Sequence, residues 1–567
     1  MSNQHDDANI SQRDGENEAM AEIVQRPLKS RLAAYAKRSG PGWLQGAITL
    51  GGGSLASALY LGTIAGDSMM WLQPMAMILG VIMLSAIAFV TLTSGQRPFR
   101  LINQHISPVL GWAWVIATLL ANMVWCMPQF ALGSAAVQQN LLPMLNTPSG
   151  GVLVCGALFA VSLMINFFYE SGNRGIRLFE GILKLMVAVV VLSFFGVVVA
   201  MTVGGGLDWS SVLGGLVPDF SLLTRPAEGF ASAIAATGSF ADYWSAKITA
   251  DQRDIMIAAF GNAVGINMTF LLPYSMLNKG WGKNHRGLAI FDLSTGLIIP
   301  FVLATSCVVI AASAQFHAKG GDVLDATGKP KPGMETAFYQ VVDARLAAEA
   351  GGAGELGKWT PEQLAARREA LPLADKELAA MLVQRDNFQL ANALEPLTGP
   401  RIAQWVFGIG VLGMAFSTII ILMLINGFVL CEIFNQPGNR VLHMTGAALA
   451  GIGGSAGLFF LWSDSQAKAA LAVPTSVFGG AMIPIAYFTF LLLMNSDRVL
   501  GEARPRGVAA LRWNALMLVA TGVATAATIW VLASKGTAGK VGIAVLVALF
   551  VLGAAGFRKK GRQHAAG

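Results

Sequence analysis

Two short stretches of this chain gather the groups that could hold a small charged solute. The first, GPGWLQGAITLGGGSLASALYLGTIAG, places Thr49, Gly51, Gly52, Gly53 and Ser54 in the middle of an apolar run. The second, IMIAAFGNAVGINMTFLLPYSML, places Asn262, Asn267, Met268 and Thr269 among apolar neighbours, with Gly261, Gly265 and Pro273 as breakers. Hydroxyl and amide oxygens and freed backbone carbonyls coordinate cations, whereas freed backbone N–H groups at a helix start hold anions. These nine residues form the candidate binding set, and Ser54, Asn267, Met268 and Thr269 are the members that could touch a metal.

The chemistry of this set is neutral. Hard divalent ions ordinarily take several oxygens, carboxylates among them, yet no Asp or Glu falls at mid-depth in any apolar run. An ion that keeps much of its water, magnesium in particular, is the divalent cation such donors suit. Met268 offers one soft thioether, although a mid-helix Met ordinarily packs. Glu180, Lys184 and Asp292 sit near helix ends, where a cap or interfacial solvation accounts for them. Cys126, Cys155, Cys307 and Cys431 lie in or at the ends of apolar runs without CxxC spacing, which assigns them to packing. No GxxxxGK[ST] or HExxH occurs and no His or acid clusters within the apolar runs, so neither ATP-driven pumping by this chain nor an enzyme is expected, and no cofactor is called for.

The elements that must position these groups are membrane helices. Of the 567 residues, 54% are hydrophobic and 13% charged, a balance water-soluble folds rarely carry. Apolar runs of about 20 residues, enough to cross roughly 30 Å of hydrocarbon, recur along the chain. Twelve are read, at 41–64, 70–94, 109–133, 150–169, 178–203, 256–278, 290–315, 402–431, 442–463, 472–494, 511–534 and 541–557. A polar, basic tail over 1–40 precedes them and is expected to be disordered and cytoplasmic. The net charge of +7 follows topology. Lys29 and Arg31 precede the first run, Arg97 and Arg100 follow the second, and Arg174 and Arg177 the fourth. Lys279 and Lys283 follow the sixth, Arg440 the eighth, and Arg498 and Arg504 the tenth, whereas 134–149 has no Lys or Arg. That is the positive-inside pattern of a bacterial inner-membrane protein with both termini cytoplasmic, and its partner is the lipid bilayer, with no nucleic acid.

Each glycine of the run at 51–53 gives up about 1 kcal/mol of helix propensity relative to Ala, so the first helix is expected to unwind there. Unwound backbone in lipid persists only where it lines a cavity or is buried by protein. Breaks in the first and sixth helices, five helices apart, point to an inverted repeat with its site at the midplane. The expected organisation is a first repeat over 41–203, an outer loop over 204–255, a second repeat over 256–494 that carries an outer insertion at 316–401, and two further helices with a basic tail over 495–567. Within the outer loop, GFASAIAATGSFADYW reads as an interfacial or re-entrant segment. The insertion reads as a small helical cap, from WTPEQLAARR and ADKELAAMLVQRD.

At these residues the chain resembles a divergent branch of the natural resistance-associated macrophage protein (NRAMP) family of divalent-metal transporters. The likeness covers about 40–500. It is carried by GPGWLQGAITLGGGSLASAL, RLFEGILKLMVAVVVLSFFG, FLLPYSMLNKGWG and NALEPLTGPRIAQWVFGIGVLGMAFSTIII. The resemblance implies an all-α polytopic membrane protein of about 12 transmembrane helices, with a leucine-transporter-type inverted repeat of helices 1–5 and 6–10 and two extra helices. It also places the family's metal-binding Asp-Pro-Gly-Asn on Gly51, Gly52, Gly53 and Ser54, where carboxylate and amide are both missing. The family's Met-Pro-His falls on Asn267, Met268 and Thr269, or, shifted by one, sets Met268 on its Met. The third-helix acids of its proton pathway fall near WCMPQFALGS, where Gln129 stands, and the Gln of the helix after the outer insertion falls on Phe416.

Three functions are compatible with these residues. The first is NRAMP-like secondary transport of a divalent cation as substrate, through a neutral-donor site between the broken helices. The second keeps the fold and carries an anion or polar organic solute on half-helix amides. The third is a non-transporting membrane receptor that uses the outer cap.

Overall fold

The structure, a computed structural model, describes residues 15, 17–169, 173–460, 479–534 and 536–565. Among the described residues nine helices are long and apolar enough to cross a membrane, or up to 11 if each bent pair counts as one span. The first expected helix is such a pair: α1 (Pro41–Thr49) and α2 (Gly52–Ala65), the span bending by 53° at Leu50 and Gly51. Leu72–Ser94, α3 (Pro108–Ala135), Pro148–Tyr169 and Asn173–Val203 complete the first half. The second half opens with α4 (Ala241–Ala263) and α5 (Ile266–Asn278), which part at Val264 and Gly265 where both residues take extended dihedrals. Ile299–Phe316, α6 (Phe407–Ile433) and Arg440–Phe460 follow, then Ile483–Met494, bent by 68° against Asp497–Ala503. The runs expected at 442–463 and 472–494 lie partly outside the described residues.

Burial separates core from periphery. The most apolar windows of Gly238–Asn278 and Arg401–Ile433 are 83% and 78% buried, whereas those of Gly507–Ala533 and Gly536–Lys560 are 28% and 11%. The two last helices therefore stand outside the bundle, as helices added to a ten-helix repeat core. Small residues bring the broken first helix against the seventh. A Cβ added at Gly42 would fall on the Asp292 carbonyl, and one at Gly46 on the Gly296 carbonyl; on α2, one at Gly62 would come within 2.5 Å of the Val309 carbonyl oxygen. In lipid, such close backbone approach replaces the hydrophobic drive as the source of packing energy.

One boundary differs from hydropathy. The helix containing Asn262 begins at Ala241, well before residue 256, because ADYWSAKITADQRD is polar yet helical and projects past the apolar belt. The GFASAIAATGSF portion ahead of it forms short turns, Glu228–Phe230, Ala231–Ala236 and Gly238–Phe240. The insertion at 316–401 folds as the helical cap expected, with Glu335–Ala350, Pro361–Ala370, Leu373–Leu382 and Asn387–Thr398 as its main helices. Thr360 opens the second of these with a reciprocal capping box to Gln363. All four cysteines are buried.

At the opposite end, which carries Arg97, Lys279 and Arg440 and is here the basic end, buried charges fix the start of α1. The Asp292 carboxylate accepts from the N–H groups of Gly40 at 3.1 Å and Gly42 at 2.7 Å, the role of an N-cap supplied from another helix. Lys279 pairs with Glu180 at 2.9 Å, and Lys184 donates to the Ser39 carbonyl at 2.7 Å. The helix-cap explanation of Asp292 is the one the geometry bears out.

Candidate functional site: a cavity between two broken helices

A cavity of about 40 Å³ lies where the two breaks face each other. Thr49, Gly51, Gly53 and Ser54 line it from the first break, Asn262, Asn267 and Met268 from the second. Gly52 and Thr269 do not line it. The Gly52 N–H donates to Gln129 Oε1 at 2.7 Å, and the Thr269 hydroxyl donates to the Ile266 carbonyl while accepting from Trp114 Nε1 at 3.0 Å. Sequence reasoning on the broken helices passes over the other walls: Trp125, Pro128 and Gln129 of α3, and Thr418 and Leu422 of α6. The available signal for Thr418 is the pair Ser417–Thr418 in an otherwise apolar stretch, one residue beyond Phe416.

Each hydroxyl around the cavity has its proton committed to backbone. Thr49 Oγ1 donates to the carbonyls of Asn262 at 3.0 Å and Ala263 at 2.7 Å, so it closes the C-terminal end of α4 from across the break. Ser54 donates to the Thr49 carbonyl, and Thr418 to the Met414 carbonyl at 2.8 Å while leaning toward Ala47 and Ile48. Ser417 donates to the Ala47 carbonyl at 3.0 Å. A hydroxyl has one proton and two lone pairs. With the proton spent, Thr49, Ser54 and Thr418 keep only lone pairs to offer. Asn262 follows the same rule: its amide nitrogen donates to the Gly53 carbonyl at 3.1 Å and to Ser57 Oγ at 2.6 Å, which leaves its oxygen. Asn267 Oδ1, by contrast, accepts from the Met268 N–H at 2.8 Å.

The glycines are required by proximity. A Cβ at Gly51 would come within 2.7 Å of Thr418 Oγ1, and one at Gly265 within 2.5 Å of the Trp125 ring. No group of three or more His, Cys, Asp or Glu side chains placed to hold a metal exists among the described residues, and the cavity is lined by uncharged side chains.

Comparison with known proteins agrees with this architecture. Metal transporter Nramp2 of Populus trichocarpa is 29% identical over 160 residues, and Metal transporter Nramp4 of Arabidopsis thaliana 27% over 192. These matches span 28% and 34% of the relatives' own lengths. Crystal structures of the Eremococcus coleocola manganese transporter superpose over 94% of this chain and 97% of theirs; a mutant form gives a TM-score of 0.55 at 16% identity. The same transporter bound to an aromatic bis-isothiourea compound gives 0.53 at 15%. At that identity the likeness is one of fold. The family model described as natural resistance-associated macrophage protein-like matches residues 42–331 and 378–534, so both broken helices and every wall of the cavity fall inside it. The chain belongs to the NRAMP-like family.

Proposed function

We propose that this protein is a secondary transporter that carries a divalent metal ion through the cavity between its broken helices. The carrying observation is the direction of the hydroxyl protons. Thr49, Ser54 and Thr418 all donate to backbone carbonyls, so these three and the Asn262 oxygen offer lone pairs to a solute, beside the amide nitrogens of Asn267 and Gln129 on the same wall. Such a set attracts a cation. An anion would use N–H groups at the start of α2, and the first of them, on Gly52, is spent on Gln129. The relatives' names, metal transporters and a manganese transporter, agree with a divalent cargo.

Magnesium is the finer reading. It holds several of its waters when bound, and neutral oxygens can meet those waters without the carboxylates that full dehydration demands. The bundle is read as lying in a bacterial inner membrane with its basic end and both termini cytoplasmic.

The test is uptake of magnesium and of manganese into liposomes holding the purified full chain, with a pH dye inside. Flux of either ion that falls in Ser54→Ala/Thr418→Val supports the reading. Magnesium flux without manganese flux supports the finer one. No flux of either ion from folded protein overturns it and turns the search to anions and polar organic solutes.

A further inference from the structure

A second cavity lies in line with the first along α5 and α6. The central cavity meets α5 at Asn267 and Met268 and α6 at Thr418 and Leu422. Toward the basic end a larger cavity of about 280 Å³ is lined by Tyr274 and Asn278 of α5, Phe428 and Glu432 of α6, and by Arg97 and His443. Tyr274 lies seven positions beyond Asn267, about 10 Å of helix. Aromatic rings fill that interval: Tyr274 stacks on Phe270 with centroids 4.3 Å apart and faces Phe428 at 6.1 Å.

Glu432 is the one carboxylate on α5 or α6 between the central cavity and the basic end. Its side chain is 4% exposed and carries both oxygens against a single nitrogen, Arg97 Nη1, at 2.9 and 3.1 Å. Arg97 Nη2 turns away to Asn435 Oδ1 at 3.3 Å, so the pair lacks the parallel two-nitrogen fork that makes arginine–carboxylate contacts strong. Arg97 itself is 24% exposed and precedes the helix Pro98–His105, at the mouth of the cavity. The geometry is that of a buried carboxylate held by a partly solvated, singly charged competitor, with the Tyr274 hydroxyl beside it. A divalent ion brings twice the charge to the same oxygens.

We propose that Glu432 is a transit site for the divalent cation between the central cavity and the basic end, with Arg97 as its tethered competitor. The inference rests on the cation reading of the central cavity. The ion leaves a neutral cavity, reaches the first carboxylate on its route and displaces Arg97; the returning guanidinium then expels it. Tyr274 and Asn278 supply neutral oxygens in the same space, and a cavity of this size has room for the waters of a partly hydrated ion.

The test is equilibrium manganese binding to the purified full chain, read by the electron paramagnetic resonance signal of the free ion. The background is Ser54→Ala/Thr418→Val, so that central donors are weakened. Arg97→Gln in that background is expected to tighten manganese binding at least tenfold, and Glu432→Gln added to it to remove the gain. No gain, or a gain that survives Glu432→Gln, overturns the proposal. Because Arg97→Gln leaves a buried carboxylate unpaired and can impair folding, Glu432→Gln alone is the second variant. It is expected to lower the residual binding of the background chain, and unchanged binding there counts against the proposal. Absence of manganese and magnesium flux in the unmodified protein would sink the central-site reading separately, since the binding measurement does not depend on transport.

Discussion

At the scale of the residue, what distinguishes this cavity is where protons point. Thr49, Ser54 and Thr418 are each buried, and each has its proton on a carbonyl freed by a break or by its own helix. Replacing Thr418 with Val, or Ser54 with Ala, removes an oxygen from the cavity wall while keeping its volume nearly constant. The expected outcome is a rise in KM for divalent-cation uptake of about tenfold for each, the scale of one lost hydrogen bond to a charged group. Thr269→Val makes the contrasting case. Its hydroxyl serves Trp114 outside the cavity, so uptake should keep its KM, while the orphaned indole N–H costs about 1–3 kcal/mol in thermal unfolding. A raised KM in Thr269→Val with the others unchanged would invert the assignment. Residue types in the sequence place seven of the nine candidate positions on the cavity wall, because unwinding at Gly51–Gly53 and polar groups near Gly265 are local properties. Gly52, Thr269 and Thr418 were beyond that reasoning. Their places depend on which partner each meets across the bundle, Gln129, Trp114 and the α1 carbonyls, and spacing along one helix carries no information about a partner on another.

At the scale of the element, the broken first helix survives because protein covers it along its whole length. Gly42 and Gly46 present one small face to the segment around Asp292 and Gly296, while Asp292 closes the free N–H groups at its start. Gly46→Ala is therefore expected to force a backbone shift and to destabilise the protein by about 1–3 kcal/mol, the cost of overpacking. Gly181→Ala, on Asn173–Val203 with nothing within 4 Å of the added methyl, should be neutral or raise stability by up to about 1 kcal/mol through helix propensity. Thermal unfolding of the two variants side by side separates close approach from propensity; equal effects would dismiss the packing argument. The break itself was legible, since three consecutive glycines disfavour any regular helix. Its cap was legible only as a category: Asp292 is far from Gly40 in sequence, and only the seventh helix folding back beside the first brings the carboxylate to those N–H groups. The polar start of α4 was illegible to hydropathy because a helix that projects beyond lipid needs no apolar run.

At the scale of the whole molecule, the outer end is held by two ties that join parts distant in sequence. His317, just past Ile299–Phe316, bonds the Thr63 carbonyl at 3.1 Å and packs edge-on to Phe230. Burial holds its pKa below the ordinary 6.5, since the charged ring loses solvation there. A depressed pKa contributes stability that is present above about 6.5 and lost as pH falls through the lowered value. Acidification below 6 should thus loosen the 204–240 segment to protease in the unmodified protein, and His317→Gln should remove that pH dependence.

The second tie is stronger and reaches further. Asp375, on the cap helix Leu373–Leu382, accepts from Trp244 of α4 at 2.8 Å and from Arg345 Nε of the cap helix Glu335–Ala350 at 2.9 Å. Arg345 and Asp375 side chains are each 2% exposed, and the guanidinium lies 3.2 Å from the centre of the Phe240 ring. The same cap helix Leu373–Leu382 also touches α2, so the helix that carries this carboxylate reaches the outer parts of both broken helices. Removing one partner of a buried pair costs about 3–5 kcal/mol, and Asp375→Ala falls at the lower end because Arg345 keeps the half-exposed Glu349 at 2.7 Å. Asp375→Ala is expected to raise amide hydrogen exchange together in 335–350, 373–382 and 241–250, by two to three orders of magnitude if that cost is local. Lys358→Ala breaks an exposed pair with Glu355 and should leave all three segments unchanged. Faster exchange confined to the cap in Asp375→Ala would mean that α4 holds its outer end without it, and the cap would then be a passenger on the bundle. Joint loosening would mean that any rearrangement separating the two broken helices at the outer end must carry this carboxylate's contacts with it or break them.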